Sequence, residues 1–131
     1  MIGLVPYIHM SRVLLVEDDQ FLSSILRDHL RSNGFEVECA YDGDMAVRRA
    51  IENHFDAVLL DILLPQKDGF EVLGTLKSMS ATKQIPVIII SNLSDPGSVD
   101  RMMQGGAFSY LVKAHVTPDI VKDELTKAIG K

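Results

Sequence analysis

Short apolar runs alternate along this chain with stretches in which apolar residues recur every three or four positions. The runs cover residues 13–16, 35–39, 57–60, 86–90 and 110–112 and are rich in Val, Ile and Leu. Several are apolar on successive residues rather than on every second one, the pattern of strands covered on both faces of a parallel sheet. The intervening segments predict helices. Phe21, Leu22, Ile25, Leu26 and Leu30 mark the apolar face of the first, which Asn33-Gly34 closes. Ala46, Val47, Ala50 and Ile51 mark the second, and Phe70, Leu73 and Leu76 the third. The fourth opens at Asp95-Pro96, carries Val99, Met102 and Met103 as core positions, and stops at Gly105-Gly106. The fifth follows Thr117-Pro118 and carries Val121, Leu125, Ala128 and Ile129. Five β-α units in succession predict an α/β, doubly wound parallel sheet with helices on both faces.

Sheets of this kind bind ligands beyond the carboxyl ends of their strands, so the residues that end each run form a natural set. The first run ends in Glu17-Asp18-Asp19, the third in Asp61, the fourth in Ser91-Asn92 and the fifth in Lys113. Singly, each has an ordinary explanation. Asp19 reads as the cap of the first helix, and a lone lysine or serine after a strand is usually surface or turn chemistry. Together they put acids, a hydroxyl and an amine on one edge of one sheet. The run VLLDILLPQKDG then makes sense: a carboxylate delivered by a buried strand needs partners, and the neighbouring strand ends supply them. Clustered carboxylates need a cation, and oxygen ligands select a hard one such as Mg²⁺. Aspartate can attack phosphorus to form an acyl phosphate, while a nearby hydroxyl and ammonium can bind phosphoryl oxygens. The predicted chemistry is phosphoryl transfer to Asp61.

Composition narrows the field further. The 131 residues are 47% hydrophobic and 24% charged, values of an ordinary globular domain, and the net charge of -5 with no basic block argues against direct nucleic-acid binding. The single cysteine, Cys39, excludes an internal disulfide, suits a cytoplasmic location and reads as a small core residue at a strand end. No apolar run approaches a membrane span. Residues 1–9 read as an expression-vector tail or a short N-terminal extension, with the domain proper over residues 10–131. With no further domain after the fifth helix, the expectation is a stand-alone unit or one excised from a longer protein.

The motifs VLLVEDD, LLDILLPQKDG, PVIIIS and YLVK, in this order and spacing over residues 12–131, resemble those of the receiver domains of two-component response regulators. The resemblance implies a flavodoxin-like (βα)5 fold with strand order 2-1-3-4-5. It implies that Asp61 is the phosphoacceptor, that Asp18 binds Mg²⁺ directly and Glu17 mainly through water, and that the Leu63 backbone carbonyl is a further ligand. Ser91 and Tyr110 would be the switch pair and Lys113 the phosphate-pairing lysine, while Pro65 and Asp68-Gly69 shape the loop after the acceptor. The implied phosphodonor is a sensor histidine kinase, a phosphotransfer domain or a small phosphodonor. The implied output is a changed face of helix four, strand five and helix five that meets an effector, an output domain or a second copy.

The chain departs from the family pattern at two places. Ala114 follows Lys113 where the family has proline with a cis peptide; a cis bond to a non-proline residue costs about 2.5–4 kcal/mol, so a trans bond and a rearranged loop are expected. Asn92 stands where the family prefers a small residue, and its amide would either narrow the approach to Asp61 or donate to a phosphoryl oxygen. Leu63 and Leu93, two residues after Asp61 and Ser91, would flank the acyl phosphate and hinder water, which predicts slow self-dephosphorylation. The alternatives are a pseudo-receiver that no longer takes phosphate, a haloacid-dehalogenase-type phosphatase and a dinucleotide- or flavin-binding domain. The phosphatase class expects a second acid where Leu63 stands, and the dinucleotide fold expects a glycine-rich turn after the first strand.

Overall fold

The computed structural model describes residues 10–130, so the reading of residues 1–9 as a tail lies outside the described residues. Five strands alternate with five helices: β1 (Arg12–Val16), α1 (Gln20–Ser32), β2 (Glu36–Ala40), α2 (Gly43–Glu52), β3 (Ala57–Leu60), α3 (Gly69–Ser78), β4 (Val87–Ser91), α4 (Pro96–Gln104), β5 (Ser109–Val112) and α5 (Pro118–Ile129). All strand pairs are parallel and the order is β2-β1-β3-β4-β5, the flavodoxin-like topology that the sequence implied. A single 3-10 turn, Lys113–His115, joins β5 to α5.

The near-continuous apolar runs follow from burial on both faces. Val13 and Leu15 of β1 pack with Leu26, Leu30, Val121 and Leu125 of α1 and α5. Leu14 and Val16 pack on the opposite face with Ala46, Val72, Leu76 and Met102 of α2, α3 and α4. The central strand β3 is buried throughout, and each fully buried Val or Leu there contributes about 1.5–3 kcal/mol relative to exposure. Burial on both faces of β1, β3 and β4 leaves the polar residues of these three strands at their ends.

Capping follows the sequence closely. Asp19, Asp42, Asp68, Asp95 and Thr117 each accept backbone N–H groups at the start of α1, α2, α3, α4 and α5. β2 and β4 begin one residue later than expected, for separate reasons. Phe35 donates its N–H to Leu30 O and so belongs to the closing turn of α1, and Pro86 has no N–H to give to a ladder. The apolar face assigned to α1 also needs correction: Phe21 is 76% exposed and Ile25 41%. Helix α1 starts at the carboxyl end of β1, so its first turn overhangs the sheet edge and only Ser23, Leu26 and Leu30 are buried. Ile51 and Met103 are likewise exposed, and of the Met pair only Met102 reaches the core. Cys39 is half-buried, with its sulfur accepting from Ser23 Oγ at 3.3 Å.

Candidate functional site

The carboxyl ends of β1, β3, β4 and β5 bring their polar residues to one edge, as expected. Backbone ladder bonds carry the strands right up to the acids: Glu17 N donates to Ala40 O at 3.0 Å and Asp61 N to Val16 O at 3.1 Å. Glu17 and Asp61 are thereby buried, while Asp18 beside them is exposed. Carboxylate oxygens of Glu17, Asp18 and Asp61 lie within 4.8 Å of one another.

Lys113 is the cation that this group meets. Its Nζ donates to Asp61 Oδ2 at 2.8 Å and lies 2.6 Å from Glu17 Oε2. The opposite oxygens are also engaged, since Asp61 Oδ1 accepts from Ile62 N at 2.7 Å and Glu17 Oε1 from Asp19 N at 3.1 Å. Burial pushes the Glu17 carboxyl above its ordinary value of 4.5; the hydrogen bond from Lys113 opposes this and the charge on Asp61 adds to it. Burial pulls the Lys113 ammonium down, but the hydrogen bonds and charges of Asp61 and Glu17 outweigh it and hold the group above the ordinary lysine value. The peptide after Lys113 is trans, as expected, there being no cis bond among the described residues, and Lys113–His115 form a 3-10 turn. Lys113 reaches both acids with that backbone.

Ser91 is fully buried at the end of β4, and its Oγ accepts from Leu93 N at 3.2 Å. The Tyr110 hydroxyl donates to Leu93 O. Burial raises the Tyr110 pKa, and a hydrogen bond with Ser91 works against the rise. Ser91, Leu93 and Tyr110 therefore form one polar triangle between β4 and β5. Of the remaining predicted positions, Leu63 is 61% exposed, Asn92 is exposed and Leu93 is half-buried against the α2–α4 core. Gly69, predicted to shape the loop after Asp61, does so by close approach: a Cβ there would stand 2.4 Å from the Asp61 carbonyl oxygen.

Three carboxylates face one ammonium, which leaves an excess of negative charge on hard oxygen donors. That donor set fits Mg²⁺ better than a thiophilic metal. Sequence reading missed Gly43, whose backbone packs against the loop after Asp61; the Asp42-Gly43 dipeptide was a helix-start signal that could have drawn attention to it.

The family model described as the response regulator receiver domain matches residues 13–127. The transcriptional regulatory protein PrrA of Mycobacterium tuberculosis is 40% identical over 110 residues, which are 84% of this chain and 46% of PrrA. The chain thus spans about half the length of that relative. The polar-differentiation response regulator DivK of Brucella ovis is 33% identical over 110 residues, 84% of this chain and 89% of DivK. Among solved structures, the receiver domain of a sensor histidine kinase from Pseudomonas aeruginosa, with a magnesium ion coordinated in its active site cleft, is 28% identical. It superposes with a TM-score of 0.85 and covers 94% of this chain and 100% of that one.

Proposed function

The chain belongs to the response regulator receiver family, and from that premise we propose that it accepts a phosphoryl group on Asp61 from the phosphohistidine of a sensor kinase or phosphotransfer domain. A small phosphodonor such as acetyl phosphate would serve in its place. Receivers are signalling switches rather than turnover enzymes, and Leu63 in place of a second acid agrees with that class. The observation that carries the reading is the convergence of Glu17, Asp18 and Asp61 with Lys113 as the cation bridging the two buried acids.

In this reading Glu17, Asp18, Asp61 and the Leu63 carbonyl hold Mg²⁺. When bound, the ion neutralises charge on the transferring phosphoryl oxygens. An Asp61 carboxylate oxygen attacks phosphorus, the new O–P bond forms, and the P–N bond to the donor imidazole (or the P–O bond to acetate) breaks with its electron pair leaving on the donor. Lys113, already beside Asp61, pairs with the phosphoryl oxygens. The Ser91 hydroxyl turns to the same group and releases Leu93 N, which loosens the triangle holding Tyr110. The α4–β5–α5 face shifts in population as a result and meets an effector, an output domain or a second copy. Leu63 and Leu93 flank the acyl phosphate and exclude water, so loss of phosphate is slow; replacing Leu63 by Asn should speed it, and an unchanged half-life would sink this part. Asn92 borders the approach to Asp61. The single cysteine supports a cytoplasmic location, and among the described residues no helix is long and apolar enough to cross a membrane.

A calorimetric Mg²⁺ titration tests the site. The parent should bind one ion, and Asp18→Asn should weaken binding by about tenfold or more. Equal affinity in the two proteins would remove Asp18 from the ligand set.

A further inference from the structure

The loop after Asp61 is held from outside as well as from within. At its base, Gly69 N donates to Ile62 O at 2.8 Å and closes residues 62–69 into a ring. At its tip, Lys67 N donates to Pro65 O at 2.9 Å, an i to i+2 bond, and the residue between them, Gln66, has φ of 69°. Such a positive-φ γ-turn is strained for a residue with a side chain, and strained turns persist where their surroundings over-determine them.

The surroundings here are the first turn of α2. Gly43 N donates to the same Pro65 carbonyl at 3.3 Å. A Cβ at Gly43 would lie 1.8 Å from the Lys67 carbonyl oxygen and 2.6 Å from its carbonyl carbon. Both are backbone atoms, so no side-chain rotation could relieve the contact. Gly43 is buried in this contact, and Asp42 fixes the turn that carries it by accepting Met45 N at 2.7 Å. Leu63 stands in the stretch between the closed base and the clamped tip.

The geometry points to Gly43 as a positioning residue of the acidic site: the amino end of α2 clamps the Pro65–Lys67 turn and so sets where the Leu63 carbonyl stands. This rests on the reading of that carbonyl as a cation ligand. Gly43 touches neither ligand nor phosphoryl group; it acts by letting two backbones approach more closely than any side chain allows.

The test uses Gly43→Ala, with Asp42→Ala as a second variant that loosens the same turn without a clash, and Ala128→Gly in α5 as a stability control on the opposite face. Amide exchange of Gly69 and Lys67 is measured without added cation, and Mg²⁺ affinity is measured by amide shift titration. Gly43→Ala should speed Gly69 and Lys67 exchange by about tenfold and weaken Mg²⁺ binding by about tenfold. Asp42→Ala should move both in the same direction by less, and Ala128→Gly should move neither while lowering the melting temperature. Should Gly43→Ala fail to fold, Asp42→Ala decides alone. Exchange at parent rates in the folded Gly43 and Asp42 variants would overturn the proposal, as would an equal loss of protection in Ala128→Gly. A parent that shows no Mg²⁺-dependent shift would instead sink the phosphoacceptor reading, while the exchange data still decide the clamp.

Discussion

The two ends of the sheet carry charge in opposite ways. Near the amino ends, Arg12 Nε lies 3.3 Å from Glu36 Oε2 with side chains 36% and 53% exposed, and Arg49 pairs with Glu38 on the same flank. Both Glu36 and Glu38 thus have an arginine partner of their own. At the carboxyl ends, Glu17 and Asp61 side chains are 2% and 6% exposed and share the single ammonium of Lys113, itself 16% exposed. Exposed pairs at balanced charge contribute little either way. Buried acids in excess of their cation are a standing cost to the fold, one that the proposed binding of a cation would offset. The contrast teaches that the ion pairs at the amino ends are nearly neutral to the fold, while the acids at the carboxyl ends burden it, as the proposed phosphoacceptor site requires.

Removing each cation in turn is the strongest way to break that contrast. Lys113→Ala should leave Asp61 and Glu17 buried without a counter-charge and lower stability by about 3 kcal/mol in urea unfolding with chelator present. Excess Mg²⁺ should recover part of the loss by binding only the folded state. A loss no larger than that from Arg12→Ala would show that the two ends are equivalent.

The acids sharpen the comparison through pH. Glu17 has its pKa raised in the fold, so the native state holds its proton over a range where the unfolded chain has released it. Stability from this group is present below about 4.5, the unfolded value, and is lost as pH rises from there through the raised folded value. Glu17→Gln should flatten that fall in chelator-treated protein, read from unfolding curves across the acid to neutral range. A parent whose stability rises across the same interval, with the slope unchanged by Glu17→Gln, would contradict the assignment.

Two smaller effects follow. Tyr110→Phe deletes the hydroxyl that donates to Leu93 O and should cost about 1 kcal/mol. It should also reduce the amide shifts that phosphorylation produces in α4 and β5. Arg12→Ala, which removes the pair with Glu36, the bond to the His54 carbonyl and the stacking on Phe55, should cost about 1–2 kcal/mol. A larger loss would mean that the amino end carries more of the fold than its exposure suggests.

The architecture and most of the site were legible because each rests on local pattern. Strands buried on both faces need apolar runs, and helix starts need the Asp or Thr caps seen before α1 to α5. A strand-end acid such as Asp61 is conspicuous because it interrupts such a run. What escaped depends on distant parts of the chain. Phe21 has helical spacing that reads as core, but its turn lies beyond the sheet edge, a fact fixed by where β1 ends. Gly43 reads as an unremarkable helix start, and only the fold brings Lys67 against it. The trans bond before Ala114 was expected from the cost of a non-proline cis bond, yet no spacing rule showed that Lys113 would still reach both acids with it.

The central claim is that Asp61 takes a phosphoryl group with help from a bound cation. Intact mass after incubation with acetyl phosphate and Mg²⁺ addresses it directly, with chelator and Asp61→Asn as controls. The account predicts one added phosphoryl group, about 80 Da, on the parent alone and only with the cation present. An unmodified parent, or equal addition on Asp61→Asn, would contradict it.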